Sequence, residues 1–276
     1  MDSLGMLQKL ETELKIRGFS PETLKAYLFH NTKFLGFINK EPSEVSEDDL
    51  KLYLAHLISD KHLSAASVAL VRSALLFFYN QIMGKGFGGI KTPKIQRKNP
   101  AVLSKEEVKS LISACVNEKS RLLVQLLYSS GLRVSECLGL YVEDLDFSEK
   151  VCNVRQGKGK KDRITVISDS LLGSLKAYLD AEGIDSGLIF RNRKSGALTA
   201  RNVQKIVSLA AKRAGVKKLV TPHKLRHSFA THLLESGVSI RFIQELLGHS
   251  NLQTTQIYTR VSRESIRSIK SPLDDL

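Results

Sequence analysis

The stretch TPHKLRHSFATH, Thr221 to His232, holds three of the chain's seven histidines beside a lysine and an arginine. Thr221 followed by Pro222 reads as a helix start: a capping hydroxyl, then proline at the first helical position, where its missing N–H costs nothing. His223 then falls in the first turn, where unpaired backbone N–H groups and the helix dipole favour an anion. His223, Arg226 and His227 stand at i, i+3 and i+4, so a helix puts them on one face, with Leu225, Phe229 and Leu233 turned inward on the other. His232 lies roughly opposite His223 on the wheel, outside this group. The four-residue spacing of His223 and His227 also suits a metal. The metalloprotease pattern, however, needs Glu directly after the first His, where Lys224 stands, and Lys224 and Arg226 would repel a divalent ion. A structural His/Arg face remains an alternative, and an oxyanion or phosphate site is the reading these residue types favour.

The whole-chain balance points the same way. The 276 residues carry a formal net charge of +14, with +4 on residues 1–98 and +10 on residues 99–276, which favours a polyanionic partner such as nucleic acid. Composition, 42% hydrophobic and 25% charged, is that of a folded globular protein. The apolar runs look short and interrupted, and the start MDSLGMLQKLETELK is helical and of mixed charge, so the expectation is a cytoplasmic protein with no membrane association. Cys115, Cys137 and Cys152 are odd in number and widely spaced, which argues against both a disulfide framework and a zinc ligand set. A catalytic thiol is the weaker alternative, because each cysteine sits in an apolar pattern. No metal and no cofactor are expected.

Residues 4–83 read as four helices, with starts marked by Ser20-Pro21, by Ser46 with Asp49, and by Ser64. GKGFGGIKTPKIQRKNP follows, glycine-rich and basic without an acid, and reads as a linker that either lies against something anionic or is a solvated tether; Lys91, Lys94, Arg97 and Lys98 are the cations it would bring to an anionic partner. The capping box Ser104-x-x-Glu107 opens the next domain. The expected division is 1–84 helical domain, 85–100 basic linker and 101–276 second domain with a C-terminal tail. In that domain, helices are expected around 168–182, 199–214, 222–236, 239–247 and 251–259. KVCNVRQGKGKKDRITVI reads as two β-leaning runs flanking a Gly-Lys turn, a hairpin.

Two further pieces join the histidine cluster. SSGLRVSE puts Arg133 just past a helix-ending glycine, where a buried arginine needs either an acid partner, which Glu136 would be in a purely structural reading, or an anionic ligand. LGHSNLQTTQIYTR puts His249 in a Gly-His turn, with Tyr258 further on. The order R…HxxR…LGH…Y, with SGLRVSE, GKGKKDR, PHKLRHSFATHLLESG, LGHSNLQTTQIYTRV and the early GFSPETLKAY, resembles the tyrosine recombinase (phage integrase) family over essentially the whole chain. The likeness is to its Xer subgroup, nearer the archaeal single-recombinase type than either bacterial partner.

The resemblance implies a mainly α fold with a small antiparallel β-sheet: an N-terminal four-helix core-binding (SAM-like) domain and an α+β catalytic domain. It implies cleavage and rejoining of double-stranded DNA at a near-palindromic site through a 3′-phosphotyrosine formed on Tyr258. Arg133, Arg226 and His249 would hold the phosphate, Lys158 would be the general acid and His223 would move a proton. Glu136 and His227 would support, and Lys160 and Lys161 would touch DNA. The protein would be a monomer or dimer when free and a tetramer on two sites, with a C-terminal segment docked on the neighbouring protomer. Xer-type chromosome dimer resolution is the favoured role. A mobile-element integrase of the same chemistry and a catalytically silent DNA-binding regulator are the alternatives.

Overall fold

The computed structural model describes residues 3–94, 101–155, 162–191 and 198–248. The chain divides into two compact units, Met1–Lys98 and Asn99–Leu276.

The first unit holds α1 (Ser3–Ile16), α2 (Pro21–Ile38), α3 (Glu47–Ser59) and α4 (Ala65–Phe77), the last running into a π-helical turn, Phe78–Ile82. Each start is set locally. The hydroxyls of Ser20, Ser46 and Ser64 accept from the backbone N–H groups of Thr23, Asp49 and Ser67, capping α2, α3 and α4. Leu10, Leu14, Phe34, Leu50, Leu75, Phe78 and Tyr79 close the core. Asn31 is buried within it, and its Nδ2 donates to the carbonyls of Tyr27 (2.9 Å) and Ala74 (3.1 Å), tying α2 to α4.

Two features differ from the sequence reading. The stretch Ala65–Ile82 is long and apolar enough to cross a membrane by length and composition, where only short apolar runs were expected; its Val68, Val71, Leu75, Phe78 and Tyr79 are buried in this unit's core. Residues 85–90, read as part of the linker, form no helix or strand but are fastened to the bundle. Lys85 Nζ donates to the carbonyls of Ser43 and Val45, Asn80 pairs with the backbone of Phe87, and Arg72 Nε donates to the carbonyl of buried Ile90. Gly86 turns the chain at a φ of +66°, Gly89 lets it pass close to the Glu47 carboxylate, and those contacts hold it. Lys91 and Lys94 are exposed, whereas Arg97 and Lys98 lie outside the described residues.

The second unit contains α5 (Lys105–Ser113), α6 (Glu118–Ser130), α7 (Val134–Leu138), a 3-10 turn (Val142–Asp144), strands β1 (Leu145–Asp146), β2 (Val151–Val154) and β3 (Arg163–Val166), then α8 (Asp169–Glu182), α9 (Ala200–Arg213), α10 (Pro222–Glu235) and α11 (Ile240–Leu247). The helix α6 is central: Leu122, Leu123, Leu126 and Leu127 are buried, and it packs against α8 and α10. The three strands form one antiparallel sheet in the order β1-β2-β3, with Cys152 opposite Thr165 and Val154 opposite Arg163. The fold is therefore mainly helical with a small antiparallel sheet. The three cysteines are free thiols and buried, and burial pushes the Cys152 thiol up to about 12, which keeps it protonated. The helix expected at 251–259 and the tail lie outside the described residues.

One face assignment is corrected. The helix α10 was expected to be apolar inward and polar outward, yet Arg226 and His227 are as buried as Leu225 and Phe229. It packs against α6, α9 and α11, so almost its whole girth is covered, and only groups with partners inside the fold can occupy it.

Candidate active site

The site is built where two helices end. The helix α6 stops at Gly131, whose φ of +62° reverses the chain, and α11 stops at Gly248, again with φ of +62°. Helix C-termini leave unpaired carbonyls and a partial negative charge, which cations satisfy. Three arginines do so here. Arg226 Nη1 donates to the Gly131 carbonyl and Nη2 to the Leu247 carbonyl, each at 2.6 Å. Arg133 Nη2 reaches the Gly248 carbonyl at 3.2 Å, and Arg163 Nε reaches that of Leu246 at 2.8 Å. Both glycines are required by packing as well as by φ. A Cβ on Gly131 would lie 2.5 Å from the Phe229 ring, and one on Gly248 would lie 2.8 Å from the Arg163 stem.

Glu136 sits at the centre, its side chain 5% exposed. Arg133 is the residue before α7, and its backbone N–H donates to Glu136 Oε2 (2.7 Å) while its Nη1 donates to Oε1 (2.6 Å). Arg163 closes on both oxygens, Nη1 to Oε1 at 2.9 Å and Nη2 to Oε2 at 2.7 Å. Arg226 Nη1 stands 3.8 Å from Oε2. Burial alone would raise the Glu136 carboxyl, but the hydrogen bonds and charge of Arg163 and Arg133 outweigh it and hold the carboxyl at about 2. The cluster is thus three guanidiniums around one ionised carboxylate, a site biased toward an anion.

His223 lies one turn before Arg226, at the exposed start of α10. Displacement of water by the surrounding protein, then the charges of Arg226 and Arg133, lower its pKa below the ordinary 6.5, so the ring is neutral at pH 7. His227 is buried beside Arg226. Ser228 accepts from the Leu103 N–H at 3.0 Å and so anchors α10 to the first residues of this unit.

Of the residues expected at the site, Arg133, Glu136, His223 and Arg226 are brought together by α7 and α10, and His227 is buried on α10 next to Arg226 in sequence. Lys158, Lys160 and Lys161, in the connection between β2 and β3, together with His249 and Tyr258, lie outside the described residues. Arg163 was missed. Its strand reverses the usual alternation: apolar Ile164 and Val166 are exposed, while Arg163 and Thr165 turn inward. The signal lies in β2, where buried Cys152 and Val154 face across the ladder to Thr165 and Arg163 and so share their side of the sheet.

The sequence model of the phage integrase family matches residues 101–265, and that of the phage integrase N-terminal SAM-like domain matches residues 6–88. The chain belongs to the phage integrase family, the tyrosine recombinases. The family that the motifs resemble is thus the one that matches. Among the relatives of this integrase, the tyrosine recombinase XerA of Thermococcus kodakarensis is 39% identical over 95% of this chain and 93% of its own. The XerA of Pyrococcus furiosus is 41% identical over 95% and 91%. Among solved structures, a XerA recombinase superposes with a TM-score of 0.57 at 33% identity, covering 96% of each chain. A XerH site-specific recombinase bound to its difH substrate gives 0.75 at 25% identity, covering 95% of this chain and 83% of that one.

Proposed function

We propose that this integrase-family chain is a site-specific recombinase that cuts and rejoins duplex DNA, and that it resolves chromosome dimers at a short near-palindromic, dif-like site in the cytoplasm. The observation that carries the reading is the cluster of Arg133, Arg163 and Arg226 around Glu136 beside neutral His223. Two planar forks, Arg133 and Arg226, suit the charge that builds on the non-bridging oxygens of a phosphodiester under attack. The motif order assigns the remaining roles. The Tyr258 oxygen bonds to phosphorus, the bond to the 5′ oxygen breaks, and Lys158 gives that oxygen its proton. His249 donates to the same phosphate, and His223 accepts the proton leaving Tyr258. The phosphotyrosyl ester keeps the energy of the broken bond, so rejoining needs no outside energy source.

The chromosomal role rests on likeness to archaeal XerA proteins along nearly the whole chain. The +14 charge and exposed Lys91 and Lys94 support a duplex partner. Replacing Lys91, Lys94, Arg97 and Lys98 with alanine is expected to flatten the plot of log binding constant against log salt by roughly 3–4 units. An unchanged slope would remove these residues from the interface. Four protomers on two sites, linked by C-terminal segments, complete the proposal; intact assembly after deletion of residues 264–276 would refute that linkage.

Covalent capture tests the chemistry. Wild type and Tyr258→Phe are incubated with nicked duplexes carrying palindromic sites from the source genome and run on a denaturing gel. An adduct with wild type alone supports the assignment, and an adduct with both moves the nucleophile elsewhere. Specific binding without any adduct favours a silent DNA-binding regulator.

A further inference from the structure

We infer that Arg163 is a positioning residue that keeps Glu136 from drawing Arg226 into a hydrogen bond and from taking both arms of Arg133, an inference resting on the recombinase reading above. A carboxylate has about four acceptor positions. In Glu136 they are filled by the two arms of Arg163, one arm of Arg133 and the Arg133 backbone N–H. Arg226 stands in ion-pair contact with the carboxylate at 3.8 Å but beyond hydrogen-bond reach of it, and its fork is aimed by the carbonyls of Gly131 and Leu247. Without Arg163, a buried carboxylate would lose half of its hydrogen bonds. The available remedy is a two-armed pairing with Arg226 or Arg133, which would pull that guanidinium off its line and spend its charge.

Arg163 also joins segments that local structure does not join. It is the first residue of β3, so it anchors the strand that follows the lysine-bearing connection. Its Nε holds the Leu246 carbonyl, and its stem packs where a Gly248 Cβ would be, so it pins the end of α11 immediately before His249 in sequence. Its own side chain is 8% exposed and turned to Glu136, which makes contact with a DNA phosphate unnecessary to its role.

The experiment compares wild type, Arg163→Gln, Arg163→Lys and the double variant Glu136→Gln/Arg163→Gln in single-turnover cleavage of a nicked duplex, with duplex affinity and melting temperature measured alongside. Arg163→Gln is expected to cleave about 100-fold more slowly while its duplex Kd changes by less than about threefold. The double variant is expected to recover about tenfold of that loss, because a neutral amide does not capture an arginine. Arg163→Lys keeps the charge without the fork and is expected to stay slow, which provides the test should Arg163→Gln fail to fold. Wild-type rates in either single variant, or a double variant no faster than Arg163→Gln, would overturn the inference. Absence of a wild-type adduct on every site would instead take down the recombinase reading, and this inference with it.

Discussion

Arg226, in the second turn of α10, donates to the carbonyl of Gly131 at 2.6 Å and so caps the end of a helix from another part of the chain. That bond joins the two segments that the sequence marks most strongly, SSGLRVSE and TPHKLRH. The same guanidinium takes the Leu247 carbonyl, so two helix C-termini share one cation.

Gly131→Ala adds a methyl at a left-handed φ, 2.5 Å from the Phe229 ring and 2.9 Å from Leu247. Strain and overpacking together are expected to cost about 2–4 kcal/mol. Urea denaturation at pH 7 measures it; a loss below about 1 kcal/mol would mean that the junction relaxes freely.

Arg226→Lys keeps a positive charge but cannot span the Gly131 and Leu247 carbonyls with one planar fork. Single-turnover cleavage is expected to fall roughly 100–1,000-fold with little change in duplex affinity. A fall in affinity that matches the fall in rate would show that Arg226 serves binding alone.

Glu136 titrates at about 2 in the folded chain against an ordinary 4.5. A depressed carboxyl stabilises the fold above the unfolded value and loses that contribution as pH falls from 4.5 toward 2. The contribution is on the order of 3 kcal/mol. Asp49, lowered by the Lys40 hydrogen bond, and Glu107, lowered by that of Lys218, act in the same direction. Denaturation midpoints of wild type and Glu136→Gln between pH 7 and pH 3 isolate the Glu136 share. Parallel curves would show that the cluster is not titrating there.

His223 is held neutral by partial burial and by the charges of Arg226 and Arg133. A proton acceptor must be neutral, so the acid limb of kcat/KM is expected below pH 6.5 and to vanish in His223→Gln, with a rate loss of about 100-fold or more. In Arg133→Gln one repelling charge is gone, and the limb is expected to move toward higher pH. A limb that survives in His223→Gln belongs to another group.

Much of this architecture is written in short-range chemistry. Ser20, Ser46, Ser64, Ser104, Asn117, Thr199 and Thr221 each accept from the backbone N–H three residues on, so the helix starts are legible one at a time. Glu136 as partner of Arg133 is likewise a local fact, three residues away. The attachment of residues 85–90 to the bundle was not legible, because glycine-rich sequence shows freedom to bend but not the Asn80, Arg72 and Lys85 contacts that use it.

By itself the sequence determined most of the described helix starts, the hairpin and the family, and it singled out His223, Arg226, Arg133 and Glu136 as candidates, since capping, periodicity and motif order act within a few residues. Only the tertiary structure decided that α10 is buried on nearly all sides and that Arg163 faces Glu136. The pairing of Val154 with Arg163 across the long connection between β2 and β3 turns Arg163 inward and leaves Ile164 and Val166 exposed. Alternation within β3 allows either face. The inward choice is stabilised by a buried carboxylate 27 residues away, on both oxygens of which that arginine closes.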